Sequence, residues 1–165
     1  MSLKASLDPE SRLLVSWTGS GDPCGGSFVG VACNRRGQVA NISLQGKGLS
    51  GKLSPAVAEL RHLTGLYLHY NALYGEIPRE ISTLSELTDL YLNVNNLSGE
   101  IPPELGNMGS LQGVDFSPSV LLRNCVFVLS FVRFSSHSLL CKMLILYSFS
   151  FLSLCAGRGR GRSSE

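Results

Sequence analysis

The chain has 165 residues, a formal net charge of +2 and 44% apolar residues. A chain of this size fits one domain and carries enough apolar side chains for a core. The small net charge implies no polyanionic partner, and therefore no nucleic acid. The five cysteines are an odd number, so at least one is unpaired within the chain or pairs outside it.

The N-terminal segment is the first predicted element. Its opening residues, MSLKASLDPE, lack the apolar core of a secretory signal, so the chain either is cytosolic or lacks its true start. The overlapping stretch LDPESRLLVSW predicts a short helix, with Asp8 as its N-cap and Pro9 at the first helical position.

A repeat of 24 residues fills the middle of the chain. The stretch LYLHYNALYGEIPREI at residues 66–81 returns as LYLNVNNLSGEIPPEL at residues 90–105. Aligning the copies from Val39 onward keeps apolar residues at three further positions. These are Ile42, Leu66, Leu90 and Val114, then Leu44, Leu68, Leu92 and Phe116, then Leu49, Leu73, Leu97 and Leu121. A fixed period of this length predicts a repeat architecture.

Each recurring position has a physical reason. Alternating leucines place two side chains on the buried side of a short strand, and strands of successive repeats are expected to stack in parallel. Asn71 and Asn95 lie where the chain leaves the strand, and an inward amide there can bond backbone groups that water cannot reach. The recurring glycines allow a positive φ, and the prolines fix φ without an N–H. They are Gly75 and Gly99, with Pro78 and Pro102.

The pattern LxxLxLxxNxLxGxIP, over residues 39 to about 121, resembles the plant-type leucine-rich repeat. The resemblance implies a repeat solenoid with short parallel strands on its concave face, irregular or 3-10 turns on its convex face and a helical N-terminal cap. It divides the chain into a cap at residues 1–38, repeats at 39–118 and a tail at 119–165. The repeats number three, with a partial fourth. Such repeats are typical of plant leucine-rich repeat receptor-like kinases, of which this chain resembles the N-terminal extracellular portion.

The segment GDPCGGSFVGVAC, residues 21–33, resembles the cysteine-paired cap that precedes plant extracellular repeats. The resemblance implies a disulfide between Cys24 and Cys33; the alternative is two reduced, buried thiols. A disulfide would place the protein outside the cytosol. Glycosylation sequons at Asn41 and Asn96 agree with that compartment. Chance sequons are common, however, and a glycan on Asn41 would crowd the exposed face of a strand.

The repeat pattern fails in the tail, where Arg123 replaces a glycine and Cys125 and Val126 replace the Ile-Pro pair. We therefore predict that residues 122–165 do not continue the parallel sheet. One interpretation is a segment that was never selected to complete the solenoid, as in a truncated or mis-spliced product. The other is a membrane anchor at residues 139–156, with the basic run GRGRGR after it as a cytoplasmic flank.

The sequence carries no catalytic signature. Kinase Gly-rich loop, HRD and DFG motifs are absent, as are HExxH and GxSxG. The histidines, His62, His69 and His137, are dispersed and do not have the spacing of a metal site, and no cofactor is indicated. The resemblance therefore implies a non-enzymatic outer part of a receptor, located outside the cell or at the plasma membrane.

Binding is expected at the variable, outward positions of the concave strands. Tyr67 and Tyr91 fall on neighbouring strands and should form a ladder, because such strands lie about 4.8 Å apart. Exposed aromatic rings beside adaptable polar groups suit a peptide or protein ligand, and a co-receptor is one candidate. The candidate binding residues are Gln45, Tyr67, His69, Asp89, Tyr91 and Asn93. The alternatives are that the tyrosines stack only for stability, and that the chain is inert and has no ligand.

Overall fold

The computed structural model describes residues 2–116 and, as a two-residue strand, residues 132–133. Within these residues, one α-helix, α1, spans Ser2–Leu7. The strands are β1 Val31–Cys33, β2 Val39–Ser43, β3 Gly65–Tyr67, β4 Tyr74–Glu76, β5 Asp89–Tyr91, β6 Asn96–Ser98, β7 Gly113–Asp115 and β8 Val132–Arg133. Three 3-10 helices, at Pro55–Glu59, Arg79–Thr83 and Pro103–Asn107, separate the repeats.

The main sheet contains one strand from each repeat. Its order is β1-β2-β3-β5-β7-β8, and β2, β3, β5 and β7 run parallel. Asn41, Gly65, Asp89 and Gly113 pair in one row across it, so the sheet register is the sequence period itself. The predicted parallel solenoid is confirmed.

The core is a continuous column of repeat leucines. Both leucines of each LxL motif are buried, together with the leucine that follows the asparagine. The fully buried members include Leu44, Leu49, Leu66, Leu68, Leu73, Leu90, Leu92 and Leu97, each 0% exposed. Because strand residues alternate between the two faces, the residues between these leucines face outward and are free to differ from one repeat to the next.

A second, two-stranded sheet pairs β4 with β6 in parallel. Gly75 in β4 and Gly99 directly after β6 have φ of 83° and 76°, which confirms the predicted positive φ. Pro78 and Pro102 immediately precede the 3-10 helices at Arg79–Thr83 and Pro103–Asn107. Each repeat thus runs from a concave strand through a tight loop to a short 3-10 turn.

Asn71 and Asn95, which share one repeat offset, bind the backbone of adjacent turns. The Asn71 side chain accepts the Leu49 N–H at 3.0 Å and donates to the carbonyls of Leu44 and Leu68, each at 2.9 Å. Asn95 repeats this one turn later, accepting from Leu73 at 3.0 Å and donating to Leu68 and Leu92 at 2.9 Å. The predicted inward amide is therefore present, and each amide joins two successive repeats.

The predicted helix over LDPESRLLVSW is wrong. The helix is α1, which ends before Asp8, and residues 8–17 form turns. The Asp8 carboxylate accepts the N–H groups of Arg12, Leu13 and Leu14 at 3.2, 2.8 and 2.8 Å. Those donors lie farther along the chain than the N2 or N3 groups that an N-cap binds. Asp8 therefore closes a wide loop instead of starting a helix.

The cap covers the N-terminal end of the solenoid. Cys24 and Cys33 are joined by a disulfide with a Cα–Cα distance of 5.6 Å, as the sequence resemblance implies. The rings of Trp17 and Phe28 stack with centroids 5.9 Å apart, and the Trp17 indole donates to the Val29 carbonyl at 2.9 Å. Strand β1 pairs antiparallel with β2 and so occupies the first edge of the sheet.

At the other edge, β8 pairs antiparallel with β7. Most of the tail, including Arg123, Cys125 and the proposed anchor at residues 139–156, lies outside the described residues. Within residues 2–116 and 132–133, no helix is long and apolar enough to cross a membrane.

Candidate functional site

The tyrosine ladder is the central feature of the concave face. The rings of Tyr67 and Tyr91 stack with centroids 5.5 Å apart and planes inclined by 19°. Both side chains are half-buried, so part of each ring faces solvent. The predicted ladder is confirmed as geometry. We call Tyr67, His69, Asp89 and Tyr91 the concave strip.

Two glycines make room for these rings. A Cβ on Gly65 would lie 2.6 Å from Cε2 of Tyr67, and one on Gly113 would lie 2.9 Å from the Tyr91 hydroxyl oxygen. Any larger residue at either position would displace the ring beside it. The sequence analysis missed this role, although both glycines occupy outward positions at the same repeat offset, where a missing side chain is itself a signal.

Asp89 occupies the same offset as those glycines, between them in the sheet. The Thr88 hydroxyl oxygen lies 2.8 Å from Oδ2 of this carboxylate, and its single proton is shared between Asp89 and the Thr64 carbonyl at 2.9 Å. Burial raises the pKa of Tyr67, and the Asp89 charge, the neighbouring Tyr91 and a hydrogen bond with Asp89 raise it further. The phenol of Tyr67 is therefore held as a neutral hydroxyl next to a carboxylate.

The threonines beneath this row were also missed by the sequence analysis. Thr88 donates to the Thr64 carbonyl at 2.9 Å, and Thr64 donates to the Ala40 carbonyl at 2.9 Å. The two threonines are 24 residues apart, so the period could have revealed the pair. Their hydroxyls join neighbouring repeats just before β3 and β5 and fix the strands that carry the tyrosines.

His69 lies just past the C-terminal end of β3. Its ring meets the edge of Tyr70 at 5.3 Å between centroids and lies 5.9 Å from that of Tyr91. Burial lowers the pKa of His69, and the charge of Asp115 opposes part of that effect. The imidazole is consequently neutral over a wider acidic range than a free histidine.

The remaining two candidate residues, Asn93 and Gln45, do not belong to the concave strip. Asn93, expected to face outward, is only 8% exposed and offers little surface to a ligand. Its Oδ1 and Nδ1 of His69 are buried and have no hydrogen-bond partner among the described residues. Gln45, one period before His69, is exposed two residues past the end of β2. The site thus centres on the concave strip, with Gln45 at its margin.

The sequons lie on different sheets. Asn41 is half-buried in β2 of the main sheet, and Asn96 is exposed in β6 of the second sheet. Among the residues that the structure describes, no group of three or more His, Cys, Asp or Glu side chains could hold a metal ion.

Comparison with known proteins finds similarity to leucine-rich repeat proteins. The model of the leucine-rich repeat N-terminal domain matches residues 1–34, and that of the leucine-rich repeat matches residues 86–108. A probable leucine-rich repeat receptor-like protein kinase of Arabidopsis thaliana is 39% identical over 69 residues, which are 42% of this chain and 7% of the relative. The chain spans only 7% to 8% of the first curated relatives that it matches.

Solved structures agree with these relatives. The PEPR1-AtPEP1 crystal structure superposes with a TM-score of 0.62 at 29% identity, covering 70% of this chain and 16% of that one. The leucine-rich repeat ectodomain of the receptor kinase SOBIR1 from Arabidopsis thaliana superposes with a TM-score of 0.53 at 27% identity. The superposition covers 67% of this chain and 65% of that one. The fold found here is therefore the leucine-rich repeat solenoid that these two structures share.

Proposed function

Because this chain is a capped leucine-rich repeat solenoid related to plant receptor-like kinases, we propose that it is a non-catalytic binding module for a peptide or partner protein. It represents a truncated extracellular part of such a receptor and acts in signal perception, outside the cell or at the plasma membrane. A co-receptor is a second candidate for the partner.

The observation that carries this proposal is the stacked, partly exposed pair Tyr67 and Tyr91 on adjacent strands. Tyrosine rings supply a large contact area at a low cost in side-chain entropy. Asp89 beside them accepts hydrogen bonds, and His69, held neutral, can donate or accept one. An extended chain lying across the strands can therefore meet both apolar surface and hydrogen-bonding groups within two repeats.

The competing explanation is that the rings stack only to stabilise the sheet. A selection experiment distinguishes the two. Random peptides displayed on phage are selected on the full chain, and the enriched peptides are then measured against two alanine variants. We expect Tyr91→Ala to weaken binding by about 30-fold, because loss of a buried aromatic anchor costs about 2 kcal/mol or more.

Tyr74→Ala is the matched control, because Tyr74 is an exposed tyrosine of the second sheet. It should leave peptide binding unchanged. Thermal melts of both variants verify that each remains folded. If Tyr74→Ala abolishes binding while Tyr91→Ala leaves it intact, the concave strip is not the binding surface and the tyrosine ladder is structural.

A further inference from the structure

The two sequons have different surroundings, and the structure separates them. Asn96 opens β6 and is exposed, as is Ser98, the hydroxyl residue of its sequon. Leu97 between them is fully buried. Since successive strand residues face opposite sides, Asn96 and Ser98 both point away from the core, and a sugar on Asn96 can extend freely from the surface.

Asn41 is enclosed by comparison. It is half-buried in β2, where it pairs with Ala32 of β1 on one side and with Gly65 of β3 on the other. Its amide lies so close to Gly65 that a Cβ there would clash with Oδ1. The Asn41 side chain is thus packed against Gly65 of the neighbouring strand on the concave face.

Tyr74 provides a surface next to Asn96. The two residues pair directly across β4 and β6, and both are exposed. Paired residues on neighbouring strands place their side chains on the same face, about 5 Å apart. On the opposite side of Tyr74, the Lys52 ammonium lies 5.0 Å from the ring centroid. The side of Tyr74 toward Asn96 is the one that remains available, and the ring is 47% exposed.

We propose that Asn96 is N-glycosylated when the chain passes through the secretory pathway, that its first sugar packs against Tyr74, and that Asn41 stays unmodified. In the transfer, Nδ2 of Asn96 forms a bond to C1 of the first sugar of a lipid-linked oligosaccharide. The bond from C1 to the lipid pyrophosphate breaks, the pyrophosphate leaves with the electron pair, and Nδ2 loses one proton. The glycan then covers the second sheet and leaves the concave strip open.

Site occupancy is the first test. The full chain is secreted from plant cells behind an added leader, and peptide mass mapping after enzymatic deglycosylation in heavy-oxygen water identifies each modified asparagine. We expect the label at Asn96 and none at Asn41. Ser98→Ala should remove the glycan, and the matched variant Ser43→Ala should change nothing. Label at Asn41, or an unmodified Asn96, overturns the proposal.

Thermal stability is the second test and addresses the contact with Tyr74. The secreted wild type should melt a few degrees above Ser98→Ala. This difference should vanish in a Tyr74→Ala background and persist in a Tyr70→Ala background, since Tyr70 is also exposed but lies outside the second sheet. A difference that persists with Tyr74→Ala, or none in the wild type, contradicts the packing of the sugar on this ring.

These tests are independent of the proposed binding function. Ser98→Ala should leave the affinity of concave-strip peptides unchanged, because Ser98 lies in the second sheet. A failed peptide selection would therefore not affect the glycosylation result.

Discussion

Val94 and Tyr70 adopt a backbone conformation that their side chains disfavour. Their φ values are 53° and 57°, in the left-handed region, and Gly46 occupies the same repeat offset at 64°. The left-handed turn brings the following asparagine inward, so the fold imposes the conformation whichever residue is present. For a β-branched residue such as Val94 this conformation is a strained one.

Val94→Asn should therefore stabilise the protein. Asparagine tolerates the left-handed region, and relief of this strain is worth about 1 kcal/mol in the free energy of unfolding. Little packing is lost because Val94 is 36% exposed. Urea unfolding of both proteins measures the difference. Val29→Asn is the control, since Val29 is exposed without a positive φ and should gain nothing. Equal or lower stability of Val94→Asn would show that no strain is stored there.

Among the elements, the cap is the one that the sequence predicted least well. Pro9 after Asp8 is a common helix start, yet the helix ends at Leu7. Local pattern could not reveal that Asp8 would bind three N–H groups farther along the chain, because that loop depends on Leu14 and Trp17 packing against the solenoid. The strands were predicted well, since each leucine position is tested against its counterparts in the other repeats.

Asp8 gives the cap a specific dependence on pH. Burial alone would raise its pKa, but the N–H groups of Leu14, Leu13 and Arg12 and the charge of Lys4 outweigh burial and lower the pKa below 3.8. A carboxylate whose pKa is lowered by folding contributes its full stability at any pH above its pKa in the unfolded chain. That contribution is lost as the pH falls through its pKa in the folded chain.

Asp8→Asn should accordingly destabilise the protein at neutral pH, by about 1 kcal/mol as for other side chains that bind free N–H groups. The gap between the two proteins should narrow as the pH falls from the ordinary aspartate pKa through the lower pKa of folded Asp8, because the carboxylate is then protonated first in the unfolded and finally in the folded chain. Melting temperatures across an acid series measure the gap. Glu10→Gln, an exposed neighbour, is the control. A gap that is constant with pH would contradict the role given to the carboxylate.

Across the whole molecule, each repeat is stabilised by its contacts with the neighbouring repeats. Each turn contacts its neighbours through the leucine column and the asparagine amides, and the cap with β1 covers the first edge. The period predicted this scaffold and the tyrosine ladder. It could not predict the burial of Asn93, since burial at an outward position depends on how neighbouring side chains lie over it. The repeat period therefore predicts the scaffold, whereas the exposure of each surface side chain depends on its own neighbours.

The tyrosines of the concave strip can themselves report whether this surface binds a ligand. Ring-labelled tyrosine NMR, with a selected peptide titrated into the full chain, follows Tyr67, Tyr91 and Tyr74 in one experiment. We predict saturable shifts of the Tyr67 and Tyr91 resonances, while that of Tyr74 stays in place. Shifts confined to Tyr74, or no saturable shift at Tyr67 and Tyr91, would contradict the claim and favour a structural product with no ligand on this face.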